Sequence, residues 1–305
     1  MYDNDVATVR ATRAAAEPTC VACEGRLDAP RSIGAALLAV CPRCGSRTAL
    51  PRPTPDELRA LHDSQAYFEK EYFGARRNAD ARTSRRFQLV NDLVGSVRGN
   101  DFLRGRRMLD VGCDTGEFVL AAQGAAGIEP YGVDVSTRAA EIAASRGVMV
   151  SGSDLADAPA EFEDFAVVTV IDVIEHVAQP VELLENVSTR LAADGLVWVE
   201  TPNWCSTVYR VGDWLARVST SRPRSVFERL FPQEHVQYFT VDGMRRLIER
   251  TPLQLLRVRT RSLPYAAVAG GTLVKAGTWV AQLPDRRSDR QILICALLGQ
   301  QRGAA

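Results

Sequence analysis

The sequence predicts an α/β fold: an open, mostly parallel sheet with helices on both faces, preceded by a small metal-ordered ribbon. Three observations carry this. Short β-branched runs alternate with helical segments from Arg106 onward, glycine-bearing turns follow the first strands, and two C-x-x-C pairs stand near the N-terminus. With 305 residues, 46% of them hydrophobic, the chain has enough apolar material to bury roughly three quarters of its unfolded surface, which excludes wholesale disorder. Basic and acidic side chains balance at 37 each, so no net field attracts polyphosphate and nucleic acid is the weaker partner. The longest apolar runs, 33–40 and 166–171, fall short of the roughly 18 to 20 residues that a bilayer span needs, and no charged-then-apolar leader is read. A cytoplasmic location is expected.

Four of the seven cysteines are paired, Cys20 with Cys23 and Cys41 with Cys44, with seventeen residues between the pairs. Two such knuckles set four thiolates tetrahedrally around Zn²⁺, each sulfur about 2.3 Å from the metal. A reducing compartment and a large core elsewhere argue against a disulfide framework. A closed four-thiolate site has no open coordination position, so residues 18–50 are expected to form a structural zinc ribbon, after a flexible N-terminus over 1–17. Cys113, Cys205 and Cys295 sit in or beside apolar segments and suit inert core thiols.

Residues 51–104 read as a connector and helical region. The Pro-rich run 50–55 is stiff, Thr54 suits an N-cap, and Pro55 suits the first position of a helix through 56–67. In the aromatic stretch 67–73, Tyr72 either helps close a ligand site or docks as part of an aromatic stripe. Five arginines over 76–86 fit a solvated helix surface, and His62 fits a surface or packing role.

Residues 105–305 supply the sheet. Strands are predicted at 107–113, 131–135, 148–152, 165–172, 196–200, 253–261 and 291–298, with helices at 117–123, 137–146, 181–191 and 240–250. Open α/β sheets bind ligands beyond the carboxyl ends of their strands. In the first such turn, Leu109-Asp-Val-Gly-Cys-Asp-Thr-Gly-Glu-Phe118, Gly112 and Gly116 allow a sharp bend and close approach of a ligand. The spacing is G-x-x-x-G, a poor match to the dinucleotide fingerprint G-x-G-x-x-G. Asp134 ends the second strand, where a carboxylate accepts the ribose hydroxyls of an adenosine-containing ligand; a turn or helix cap is the alternative. After the third strand, Asp154 is placed to accept from an adenine amino group and Leu155 to cover the ring.

Together with the knuckles, the Pro-rich connector and the aromatic stretch after it, the segments 109–118, 132–135, 153–155, Ile171-Asp-Val-Ile-Glu-His-Val177, 195–203 and Glu234-His-Val-Gln-Tyr-Phe-Thr240 carry a resemblance over most of the chain. The sequence resembles a class I S-adenosylmethionine-dependent methyltransferase, more narrowly the small-molecule subgroup with an N-terminal zinc ribbon. The resemblance implies a Rossmann-like seven-stranded sheet with an antiparallel last strand, and S-adenosyl-L-methionine as cofactor. It implies Asp110, Gly112 and Gly116 around the methionine moiety, Asp134 with Val135 at the ribose, Asp154 and Leu155 at the adenine, and Asp172 beside the cofactor. Asp114 stands where the family usually has Gly, so the loop is expected to be less free to adopt positive φ and to set a carboxylate near the cofactor.

Methyl transfer requires alignment and often the removal of one proton. His176 after the fourth strand, and His235 and Tyr238 before the 240–250 helix, are the candidate catalytic groups, with Glu175 as an orienting neighbour. A structural hydrogen-bonding role is the alternative for His176. Trp204, Tyr209, Trp214, Phe227 and Phe231, within an insertion at 203–234, suit either a lid over an apolar pocket or ordinary packing. The expected partner is a small-molecule acceptor in secondary-metabolite or sugar biosynthesis, with oxygen favoured over carbon or nitrogen. An RNA methyltransferase is disfavoured by Thr201-Pro-Asn203 after the fifth strand and by only three arginines over 20–44. A non-catalytic scaffold, with a cofactor loop degraded at Asp114, is the remaining alternative.

Overall fold

The computed structural model describes residues 18–33, 36–64, 79–152, 154–218, 230–232 and 234–262, and then 280–301 with brief interruptions. Tyr72, Phe227 and residues 1–17 lie outside the described residues. In the ribbon, β1 (Arg31–Ile33), β2 (Ala36–Val40) and β3 (Arg47–Ala49) pair antiparallel, and β3 pairs onward with β9 (Gln237–Tyr238) from the far end of the chain. The ribbon is therefore sewn to the body by a shared four-stranded sheet. Helix α1 (Pro55–His62) begins as the sequence predicts. Thr54 and Glu57 close a capping box, the Glu57 N–H donating to Thr54 Oγ1 at 3.2 Å and the Thr54 N–H to Glu57 Oε2 at 2.7 Å, a cap that contributes about 1 kcal/mol.

After α2 (Ala79–Arg98) the strands and helices alternate: β4 (Arg107–Val111), α3 (Glu117–Ala126), β5 (Glu129–Val133), α4 (Thr137–Ser145), β6 (Met149–Ser151), β7 (Phe165–Ile171), α5 (Pro180–Thr189) and β8 (Leu191–Pro202). Helices α6 (Thr207–Val218) and α7 (Val241–Ile248) follow, then β10 (Leu253–Arg261) and β11 (Leu293–Gln300). The seven-stranded sheet runs β10-β11-β8-β7-β4-β5-β6, and β11 alone runs against its neighbours, as the resemblance implies. β7, Phe-Ala-Val-Val-Thr-Val-Ile, is apolar at nearly every position because helices cover both faces of the sheet. β8 starts at Leu191, earlier than the predicted 196, because a bulge opposite Phe165 and Val167 lets it run on.

One face of the sheet packs on α5, α7 and the cysteine knuckles; the other packs on α2 and α3 through Phe87, Val90, Val94 and Val119. On α7, Met244, Leu247 and Ile248 repeat at helical spacing and are fully buried, each worth about 1.5–3 kcal/mol. The chain moves outward from β4 to β5 and β6, then returns to place β7 on the other side of β4. A crevice therefore opens at the carboxyl ends of β4 and its neighbours.

The arginine-rich start of α2 departs from expectation at Arg86. Instead of a solvated position it holds a largely covered one, its guanidinium 3.0 Å from Asp172 and 2.8 Å from the fully buried carboxylate of Glu200, which Arg261 also binds at 2.6 Å. Burial opposes the charge on Arg86, yet the two carboxylates hold its pKa above the ordinary value.

Candidate functional site

A cavity of about 640 Å³ occupies the crevice. Asp110, Gly112, Cys113 and Asp114 enter it from the β4–α3 turn, Asp134 and Val135 from the end of β5, Asp154 and Leu155 from beyond β6, and Asp172 and His176 from beyond β7. Leu58, Arg59 and His62 of α1 and Arg86 of α2 complete it.

The first turn is bent by three residues with positive φ: Gly112 at 71°, Asp114 at 47° and Gly116 at 80°. A Cβ at Gly112 would collide with Val173 Cγ2, so only glycine fits. Asp114 adopts the left-handed region, which Asp tolerates better than most residues, lines the cavity, and donates its N–H to Asp134 Oδ2 at 2.8 Å. Gly116, expected around the methionine moiety, does not line the cavity. A Cβ there would meet Val148 Cγ2 at 2.8 Å and Ala143 Cβ at 3.3 Å, so the absence of a side chain lets α3 pack closely on α4 and the start of β6.

The wall that these turns build is acidic. Asp110, 4% exposed, accepts from Thr169 Oγ1 at 2.6 Å, and burial pushes its pKa up to about 7 against the pull of that bond. Asp134 accepts from Asp114 and, through Oδ1, from the Ser136 N–H at 2.8 Å; burial raises its pKa as well. Asp154 caps the short turn carrying Leu155, its Oδ1 accepting from the Ala156 N–H at 3.4 Å. Carboxylates crowded on one partly covered wall suit a ligand bearing positive charge.

Another part of the lining is built from histidines. His176 Nδ1 lies 3.0 Å from the carbonyl oxygen of Glu234, which can only accept, so Nδ1 carries the proton and Nε2 the lone pair. The same reasoning puts the proton of His62 on Nδ1, 2.8 Å from the Leu58 carbonyl, and leaves its Nε2 facing His176 Nδ1 at 3.4 Å. Burial holds the pKa of His176 well below the ordinary value, with His235 and His62 adding to the effect, and it lowers that of His62. His62 thus belongs to the site and not to the surface; the available signal was its position one turn after Leu58 on the same helix face. Arg86 carried a similar signal, four residues before the buried Val90.

His235 and Tyr238 do not line the cavity. His235 stands edge-on behind His176, ring centroids 4.6 Å apart, and Tyr238 is buried among Trp204, Tyr209 and Phe231 at 5.5 to 6.0 Å. Those aromatics pack on Ile33 and Leu38 of the ribbon hairpin instead of covering the cavity, and the Arg47 guanidinium sits 4.4 Å over the Trp204 ring. Trp214 is 58% exposed. Glu175 is fully buried: Oε2 accepts from Thr201 Oγ1 at 2.9 Å, Oε1 has no hydrogen-bond partner among the described residues, and burial raises its pKa well above the carboxylate range.

The four knuckle thiols converge, Cys20 Sγ to Cys44 Sγ at 3.6 Å and Cys23 Sγ to Cys41 Sγ at 3.5 Å, with all four ligand atoms within 4.8 Å of one another. A tetrahedral zinc with sulfurs at its usual bond length separates them by about 3.8 Å, so the set is compatible with a zinc ribbon. The bond between Cys20 and Cys44 draws the pKa of Cys44 down and pushes that of Cys20 up, and burial lifts Cys23 as well. Cys113 and Cys295 are buried and Cys205 is half-buried. Among the described residues no helix is long and apolar enough to cross a membrane.

The fold is that of a methyltransferase domain. Residues 79–258 match the model of the methyltransferase domain family, and the chain belongs to that family. It is 29% identical over 131 residues to the ubiquinone biosynthesis O-methyltransferase of Neisseria meningitidis serogroup C, a match covering 38% of this chain and 54% of that protein. The Haemophilus ducreyi protein of the same name is 30% identical over 112 residues, covering 33% and 47%. The chain thus spans about half the length of the curated relatives it matches. Among solved structures, the magnesium protoporphyrin IX methyltransferase of Synechocystis PCC 6803 with bound SAH aligns with a TM-score of 0.54 at 13% identity, over 81% of this chain and all of that one. A possible histamine N-methyltransferase of Thermotoga maritima aligns with a TM-score of 0.51 at 16% identity, over 80% and 100%. At these identities the likeness concerns the fold.

Proposed function

We propose that the chain transfers a methyl group from S-adenosyl-L-methionine to a small-molecule acceptor in a biosynthetic pathway, with oxygen the favoured acceptor atom, and that its ribbon binds a structural Zn²⁺. The observation that carries this reading is the meeting, in one cavity, of an acidic wall from Asp110, Asp114, Asp134 and Asp154 with the imidazole of His176. The cofactor, when bound, supplies a methyl group already activated on a sulfonium. Asp134 accepts from the ribose hydroxyls, Asp154 and Leu155 hold the adenine, and Asp110 and Asp114 face the ligand's positive charge. His176 is uncharged at neutral pH because burial depresses its pKa, so Nε2 is ready to take the acceptor's proton as the new bond forms. The names of the curated relatives support oxygen as the methylated atom.

Calorimetry with SAH tests the cofactor half of this reading: micromolar binding is expected, and no heat at millimolar ligand would overturn it in favour of a scaffold. Turnover of the cofactor across phenols, sugars, amino acids and polyketide-like acceptors tests the other half. A steep salt dependence of RNA binding, with no small acceptor turned over, would favour RNA instead.

A further inference from the structure

Residues 234–240 are held from two sides. Toward the site, the N–H groups of Val236 and Gln237 donate to the Glu175 carbonyl at 2.9 and 3.0 Å, His176 Nδ1 donates to the Glu234 carbonyl at 3.0 Å, and the His235 ring backs the His176 ring. Toward the ribbon, β9 pairs with β3, the Ala49 N–H donates to the Val236 carbonyl at 2.9 Å, and Thr48 Oγ1 donates to Gln237 Oε1 at 3.0 Å. Thr240 is the joint. Its hydroxyl donates to the carbonyl of Cys44 at 2.6 Å and accepts from the Gly243 N–H at 2.9 Å, while its own N–H donates to Ser46 Oγ at 3.3 Å. Ser46 packs so closely on Gly243 that no Cβ fits there. One hydroxyl therefore caps α7 and grips the backbone of a knuckle cysteine.

We propose that the four-thiolate site acts as a positioning element for the transfer site: the metal fixes the Cys44–Ala49 segment, that segment fixes 236–240, and Glu234 and His235 then fix the His176 imidazole toward the cavity. Thr240 and Thr48 are the positioning residues. This rests on the assignment of His176 as the proton-accepting group. The physical basis is the contrast between local and borrowed order. Asp110 and Asp134 stand on turns ordered by the sheet itself, whereas His176 takes its one backbone acceptor from a segment whose other edge is the ribbon. The segment that carries Glu234 and His235 is thus bonded by the ribbon along one edge and by the site along the other. A closed tetrahedral site reaches the chemistry only through such outer contacts.

The chain has three histidines, so the Cε1–H resonances of His62, His176 and His235 are resolvable one by one in the zinc-loaded, SAH-saturated full chain. Thr240→Val is expected to retain one zinc per chain and SAH affinity within about threefold, yet to move the His176 titration by about half a pH unit or more. Thr240→Ser, which keeps the hydroxyl, is expected to restore it. Thr48→Val is read the same way should Thr240→Val not fold. His176 and His235 resonances that superimpose on wild type across the whole His176 titration in the folded variant overturn the coupling. Failure of the underlying assignment shows separately, as unchanged turnover of the best screened acceptor by His176→Gln, because the resonances report the coupling whatever His176 does in catalysis.

Discussion

The two sides of the cavity are built by different rules. The acidic wall comes from consecutive strand ends, β4, β5 and β6, and the carboxylates of Asp110, Asp134 and Asp154 are ordered by amides or a hydroxyl of their own or a neighbouring strand. The histidine side is gathered from α1, the turn after β7 and the segment before β9, 114 residues apart between His62 and His176 and 58 between His176 and Glu234. A wall made of local turns keeps its shape while the sheet stands. A side made of distant segments depends on everything that docks them, the ribbon included.

The comparison breaks most visibly at His176. His176→Gln is expected to lower turnover about 10²- to 10⁴-fold while leaving the SAH dissociation constant within about threefold, measured by single-turnover kinetics and calorimetry. Next is Arg86→Met, which leaves the buried Glu200 with Arg261 alone and Asp172 without its cation. A loss of about 3 kcal/mol in urea unfolding is expected, and a loss below about 0.5 would show that the network is dispensable. Asp134→Ala tests the acidic wall in return: SAH affinity is expected to fall about 10- to 100-fold, with the His62 titration moving down as it loses the Asp134 charge and the His235 resonance unmoved.

A smaller effect follows from Asp110. Its pKa, near 7 in the fold against an ordinary 3.8, means that it is neutral below and negative above about pH 7. Affinity for SAH, which carries an ammonium, should therefore rise about tenfold from pH 6 to 8, with proton release on binding in the lower half of that range, while affinity for adenosine stays flat. Because this pKa is raised, the stability it contributes to the unliganded fold is present below about 4 and is lost as pH rises through about 7. Adenosine binding with the same slope would assign the titration elsewhere.

Much of the fold was legible because its signals are local. The knuckle spacing, the alternating β-branched runs, the Thr54 and Thr240 caps and the glycine turn each declare themselves within a few residues, and the structure carries them where expected. Asp114 shows the limit of reading by substitution. Its side chain suggested a stiffer turn, but the stabilising partner is a carboxylate on the next strand. Gly116 shows another limit, because the same freedom of φ serves packing as readily as ligand approach.

The sequence by itself determined the class of sheet, the four convergent thiols and the carboxylates of the acidic wall, since period, spacing and strand-end position are properties of short segments. Tertiary structure decided that His62 and Arg86 leave solvent for the cavity, that His235 and Tyr238 stand behind it, and that Trp204, Tyr209 and Phe231 pack on the ribbon. Those outcomes depend on which distant surfaces meet, and burial, which sets both the pKa values and the hydrogen-bond partners, exists only once they have met.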